Sequence, residues 1–251
     1  MSSAIHSEQR GKVLAISIQY PEKKNALTKN MYRALTKLLA QADQEDSIHV
    51  IHLTGCDNCF CSGNDLQDFI AVSKQDEQSD NPPHLFLQQL HRQSKPIVAA
   101  VNGVAVGIGV TMLLHCDFVY AAEGSPFKLP FVDLGLVPEG GSSAILPQML
   151  GHRRAAELLL ACKGFKADEA AEIGIVNQVF PADQLLEQSW AMAELLANKP
   201  PKALQQAKIM MKNNPTEPLA KVIDTEIELF MKGLTEPEFK QAVQAFFGSG
   251  K

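Results

Sequence analysis

The sequence lacks the features that would tie it to a membrane, to nucleic acid or to an oxidising compartment. Its N-terminus, MSSAIHSEQRGKVLAISI, has no long apolar run behind a basic start, so no signal peptide is expected. The longest apolar stretch, about residues 96–114, is broken by Asn102 and by glycines and is bounded by His115 and Asp117. It reads as buried strand, turn and helix rather than a membrane span. Basic residues are not in excess: Lys and Arg total 23 against 28 Asp and Glu, a formal net charge of −5. With no basic stripe, nucleic acid is not an expected partner. Cysteines number five, an odd count, which argues against a disulfide framework and for a reducing compartment. Cys56, Cys59 and Cys61 have no second Cys or His pair at zinc-site spacing after them, so no metal centre is expected. The final Gly250-Lys251 carries no Ser-Lys-Leu address. The expected location is cytoplasmic.

What is present is an ordinary globular composition, 45% hydrophobic and 20% charged over 251 residues. That is enough chain for one large core with a small appendage. Residues 13–18 and 50–55 read as buried strands. Thr28 reads as the N-cap of a helix through about Gln44, with Met31, Leu35, Leu38 and Leu39 at helical spacing. His49 and His52 frame the second strand and read as structural. Residues 73–83 are polar and read as a mobile surface segment. Residues 83–93 read as a helix, and 96–101 and 118–121 as strands. Residues 107–115 read as a helix opened by glycines. A short strand is expected at 127–128. From Gly141 onward the pattern reads as helical. The order is α/β first and helical afterwards, hence a core followed by a helical C-terminal unit.

Three short segments could carry chemistry. In Cys61-Ser62-Gly63-Asn64-Asp65, a glycine after a strand lets the backbone turn and aim the N–H of Asn64 into a cleft. In Gly107-Ile108-Gly109, the N–H of Ile108 stands at a helix start, where donors are unpaired. Two such donors converging on one oxygen make an oxyanion hole. The spacing GVAVGIG does not match the dinucleotide pattern G-x-G-x-x-G. The third segment, Leu136-Val137-Pro138-Glu139-Gly140-Gly141, sets a lone acid between Pro and Gly-Gly. Glu139 facing an apolar cleft would have a raised pKa and act as a base. The other reading is a turn carboxylate capping a helix that begins near Ser142.

These segments, in this order, follow Pro21-Glu22-Lys23-Lys24-Asn25-Ala26-Leu27 and are accompanied by Cys116-Asp117-Phe118-Val119-Tyr120-Ala121. Together they resemble the enoyl-CoA hydratase/isomerase (crotonase) superfamily, most closely its Δ3,Δ2-enoyl-CoA isomerases of peroxisomal type. The resemblance implies an α/β fold. A spiral of ββα units would form the core over 1–195, with a helical trimerisation region over 196–251. It implies a homotrimer or a dimer of trimers, and an acyl-CoA thioester as substrate. Coenzyme A would enter as part of that substrate, with no separate cofactor.

By the same resemblance, Asn64 and Ile108 supply the oxyanion-hole N–H groups. Ser62, Gly63, Asp65 and Leu66 form the loop that holds the thioester. Ala26, Gly107 and Leu136 line the substrate site. Lys23 or Lys24 meets the CoA phosphates, unless both are ordinary surface charge. The two catalytic glutamates of the family's hydratases fall on Thr111 and Phe131, neither of which is a carboxyl group. Glu139 instead matches the isomerase glutamate. The implied activity is a one-carboxylate double-bond shift in fatty acid metabolism, with Phe131 as an apolar wall. Two other readings stay open. One is hydration, or another acyl-CoA reaction of the superfamily, with Glu139 acting alone. The other is a CoA-binding module without turnover.

Overall fold

A computed structural model describes residues 4–68, 81–212, 218–235 and 237–248. The chain begins with strands β1 (Ile5–Arg10) and β2 (Val13–Ile18) and helix α1 (Lys29–Gln44). The motif repeats as β3 (Val50–Thr54), β4 (Cys59–Cys61) and α2 (Pro82–Arg92), and again as β5 (Ile97–Val101), β6 (Val104–Val106) and α3 (Ile108–Thr111). Strands β7 (Phe118–Ala122) and β8 (Pro126–Lys128) lead into helices α4 (Ser142–Leu150) and α5 (His152–Leu159). Then come β9 (Phe165–Lys166), α6 (Ala167–Glu172) and β10 (Gln178–Phe180). Four helices close the chain: α7 (Leu185–Ala197), α8 (Pro201–Lys212), α9 (Leu219–Thr235) and α10 (Pro237–Gly248). This is the spiral of ββα turns that the resemblance implies. Among the described residues, no helix is long and apolar enough to cross a membrane.

Both strands of the first unit join a six-stranded sheet, ordered β1-β2-β3-β5-β7-β10; in the following units the first strand joins that sheet and the second joins a four-stranded sheet, ordered β4-β6-β8-β9. In the large sheet β2, β3, β5, β7 and β10 run parallel. A parallel strand covered on both faces needs apolar side chains throughout. Strand β5 is buried at every position. One face packs with Leu35, Phe86 and Leu90 in the main core, and the other meets Leu185, Ala193 and Leu196 of α7. Helix α1 is capped as the sequence implies, with the Thr28 side chain accepting the N–H of Met31 at 3.3 Å. Both strand histidines are structural: His49 meets the Ala197 carbonyl at 2.8 Å and His52 the Ser189 hydroxyl at 2.9 Å.

The structure corrects several expectations. Residues 5–10 form a strand that the sequence reading left out; its five exposed positions of six make it a polar sheet edge. The run 104–106, given no element in the sequence reading, is strand β6. The helix expected over 107–115 is one α-helical turn followed by the tighter turn Met112–His115. The region after Gly141 is not all helical, because β9 and β10 return to the two sheets. Of the segment read as mobile, residues 73–80 lie outside the described residues, while Pro82 opens α2.

Strands β4, β6 and β8 are parallel neighbours. Their C-terminal ends therefore open on one edge of the small sheet. Ser62-Gly63-Asn64 follows β4, Gly107-Ile108 follows β6, and Leu129-Pro130-Phe131 follows β8. The packing there is tight: a Cβ on Gly109 would lie 2.3 Å from the carbonyl oxygen of Cys61, which only glycine permits.

Candidate active site

The backbone at Asn64 is set by a single bridge to Leu27. Leu27 donates its N–H to the Gly63 carbonyl at 2.8 Å and accepts the N–H of Asp65 at 3.0 Å. The N–H of Asn64, between those two, is turned to the opposite side of the segment. Gly63 takes φ 112°, and a Cβ there would lie 3.4 Å from the Val106 carbonyl oxygen, so the two candidate loops are in contact.

At the second loop, Gly107 donates its N–H to Lys128 at 2.9 Å and accepts from Val110 and Thr111. Ile108 is the first residue of α3, so its N–H has no acceptor within the helix. Both N–H groups that the sequence singles out thus belong to adjoining loops at one sheet edge.

Glu139 is 4% exposed. The Thr111 hydroxyl, one turn along from Ile108, donates to its Oε1. Burial pushes its pKa up to about 8; the Thr111 hydrogen bond opposes this and the charge of Glu226 adds to it. The capping alternative for Glu139 is replaced by a different arrangement. Its backbone carbonyl accepts the Ser142 N–H at 3.2 Å and the Ser142 hydroxyl at 2.7 Å, while its carboxyl faces Thr111. The start of α4 is instead capped from afar by Glu226, which accepts the N–H of Gly141 and, at 3.1 Å, that of Ser143.

Three further side chains stand near the acid or its loop. Tyr32 of α1 is buried and donates its hydroxyl to Asn64 Oδ1. Burial drives its phenol well above the usual tyrosine range, with Cys61 and Glu139 adding to the effect. Cys61 feels the same acid, and burial takes its thiol up to about 12. His115, pushed down to about 3 by burial, is neutral at physiological pH. Its Nε2 lies 2.8 Å from the Gly140 carbonyl, so the proton sits on Nε2 and the ring donates.

The remaining predicted residues stand on the segments after β2, β4 and β8. Lys23 pairs with Asp65 at 3.7 Å and donates to Gln67 at 3.1 Å. Lys24 is exposed and in the left-handed region; its carbonyl accepts the Ser62 N–H at 3.1 Å. The N–H of buried Ala26 reaches the Lys23 carbonyl at 3.0 Å, and the Ser62 hydroxyl reaches the same oxygen at 3.3 Å. Leu66 is half-buried where a helical segment begins. Buried Phe131 stands edge-on to Phe230 of α9, with ring centroids 6.5 Å apart. Leu136 is buried and donates its N–H to the Phe131 carbonyl at 2.9 Å.

Sequence reasoning missed Tyr32, His115 and Glu226. Tyr32 looks like one more apolar position of α1. Glu226 did leave a signal, a carboxylate inside the buried stripe Ile223, Glu226, Phe230, Leu234.

Known proteins share the sequence pattern and the fold of this chain. The sequence pattern of the family described as Enoyl-CoA hydratase/isomerase matches residues 8–251. The chain is 34% identical to enoyl-CoA delta isomerase 2 of Rattus norvegicus over 98% of its own length, and spans 63% of that protein. It is 32% identical to 2,3-dehydroadipyl-CoA hydratase of Escherichia coli (strain K12), covering 98% of this chain and 96% of that one. A crystal structure of an enoyl-CoA hydratase/isomerase from Pseudoalteromonas atlantica T6c superposes with TM-score 0.92 at 37% identity, covering 98% of this chain and 97% of the other.

Proposed function

The chain belongs to the enoyl-CoA hydratase/isomerase family, and within it we propose that it is a Δ3,Δ2-enoyl-CoA isomerase working through one carboxylate. The observation that carries this reading is Glu139, a buried acid of raised basicity held by Thr111. Thr111 and Phe131 stand where the sequence resemblance expects the two glutamates of a hydratase. A 1,3-proton shift needs only one group that takes a proton and gives it back.

In this reading Glu139, as the carboxylate, removes a proton from C2 of a 3-enoyl thioester. The electron pair spreads over the thioester oxygen and C4 as a dienolate. The N–H groups of Asn64 and Ile108 donate to that oxygen, and each such donor is worth roughly 3–4 kcal/mol. Glu139 then returns the proton to C4, leaving the double bond between C2 and C3. Phe131 and Leu136 keep water from the dienolate. Lys23 attracts the phosphates of the CoA portion. Residues 196–251 serve assembly into trimers, a role supported by the exposed Met210, Met211 and Leu229.

The test is a comparison of 3-hexenoyl-CoA and crotonyl-CoA as substrates for wild type and Glu139→Gln. Isomerisation is expected in wild type and a fall of about a thousandfold or more in the variant, with CoA-ester binding retained. A fully active variant would remove Glu139 from the mechanism. The hydratase relative at 32% identity favours a second reading, hydration assisted by Glu139 alone. Fast hydration of crotonyl-CoA without isomerisation would establish it.

A further inference from the structure

Helix α9 lies far along the chain from the catalytic loop, yet one of its side chains holds that loop. Glu226 is 6% exposed and shares a buried face with Ile223, Phe230 and Leu234. Its Oε2 accepts the N–H of Gly141, and its Oε1 accepts the N–H of Ser143 at 3.1 Å and the Ser143 hydroxyl. Gly141 has no side chain with which to cap α4 and takes φ 74°. The first turn of that helix is therefore satisfied from outside. Both carboxylate oxygens accept from N–H donors, the pattern of an ionised acid.

We propose that Glu226 is a positioning residue for Glu139: from α9 it clamps the turn over residues 138–143 and sets a fixed negative charge behind the base. The C-terminal helix is then part of the catalytic device and not only of the assembly. The catalytic half of this proposal rests on the isomerase reading; the clamp and the charge do not.

The surroundings of the two acids support this assignment. Around Glu139 stand Tyr32 from α1, Cys61 from β4, Thr111 from α3 and Glu226 from α9. Tyr32 and Cys61 are neutral at physiological pH because burial raises both, and His115 is neutral because burial lowers it. Glu226 supplies the remaining charge. Burial raises its own pKa, and the three donors from Ser143 and Gly141 oppose that rise. Lys221 lines a cavity of about 410 Å³ beside Glu226, together with Val137, Pro138 and Ser143. Asp224, on α9, pairs instead with His84 of α2 at 3.3 Å.

The experiment uses the full chain labelled with 13C at the glutamate carboxyl carbons. The Glu139 resonance is identified by its loss in Glu139→Gln, and its titration is followed in wild type and in Glu226→Gln. Gln keeps the size of the side chain and one accepting oxygen, and removes the charge. The Glu139 midpoint is expected to fall by about one pH unit, and the acid limb of kcat/KM for 3-hexenoyl-CoA to move with it. An unmoved midpoint overturns the charge assignment. A shifted midpoint in a protein whose wild type does not isomerise would sink the isomerase reading and leave the charge assignment standing. Ser143→Ala tests the clamp without touching the charge. It should lower kcat about three- to tenfold at an unchanged KM, and an unchanged kcat overturns the catalytic half of the proposal.

Discussion

Thr111 gives its hydroxyl hydrogen to Glu139 although 28 residues separate them. The contact joins the glycine-opened turn that carries Ile108 to the loop that carries the acid. Donor and base are thereby held in one rigid unit, since Thr111 also donates its N–H to the Gly107 carbonyl at 3.0 Å. A carboxylate with one oxygen engaged keeps a defined orientation and leaves the other oxygen for a substrate proton.

Thr111→Val removes that donor with little change in shape. The hydrogen bond lowers the Glu139 pKa, so its loss moves the pKa further up. At neutral pH the active carboxylate fraction then falls. We expect the acid limb of the pH–rate profile to move to higher pH and kcat at pH 7 to drop about tenfold. The burial of an acid without its partner should cost about 1–3 kcal/mol of stability. A profile that does not move would show that the contact does not tune the base.

Stability should depend on pH in the direction opposite to that of a salt-bridged acid. The folded pKa of Glu139, about 8, lies above its ordinary value of 4.5. The native state therefore binds more protons than the unfolded state between those two values. Stability from this group is fully present below about pH 4.5 and is lost as pH rises through about 8. Glu139→Gln has no such loss. The variant should gain on wild type across that window, by roughly a few kcal/mol in full. Urea midpoints at pH 5 and pH 9 measure it, and an equal difference at both would contradict the buried acid.

Assembly is expected to hide the apolar side chains that a single chain exposes on α8 and α9. Met210 and Met211 are 68% and 81% exposed and Leu229 is 49% exposed. Sedimentation equilibrium at micromolar concentration should give the mass of three chains or six. A mass of one chain would contradict the assembly. Met211→Glu should shift the distribution toward smaller species, since burying a charge at an interface opposes association.

Much of this architecture was legible in the sequence where local signals are strong. The apolar runs of β5 and β7, the largely apolar β3 and the Thr28 cap of α1 announce themselves, because burial and capping leave marks within a few residues. Strands β6, β9 and β10 did not, being two or three residues long. At that length no periodicity exists, and pairing with distant neighbours makes the strand. Strand β1 was hidden by its polarity, which is what a solvent-facing edge requires.

The sequence by itself determined the family, the one acid between Pro138 and Gly140, and the glycine-turned loops that offer two N–H groups. Only the tertiary structure decided that this acid is buried with its pKa raised and that Glu226, 85 residues beyond Gly141, holds the start of the helix that follows it. The physical reason is that basicity of this kind comes from lost solvation and nearby charge. Both are properties of which elements pack together, here α1, β4, α3 and α9, and no stretch of chain carries them alone.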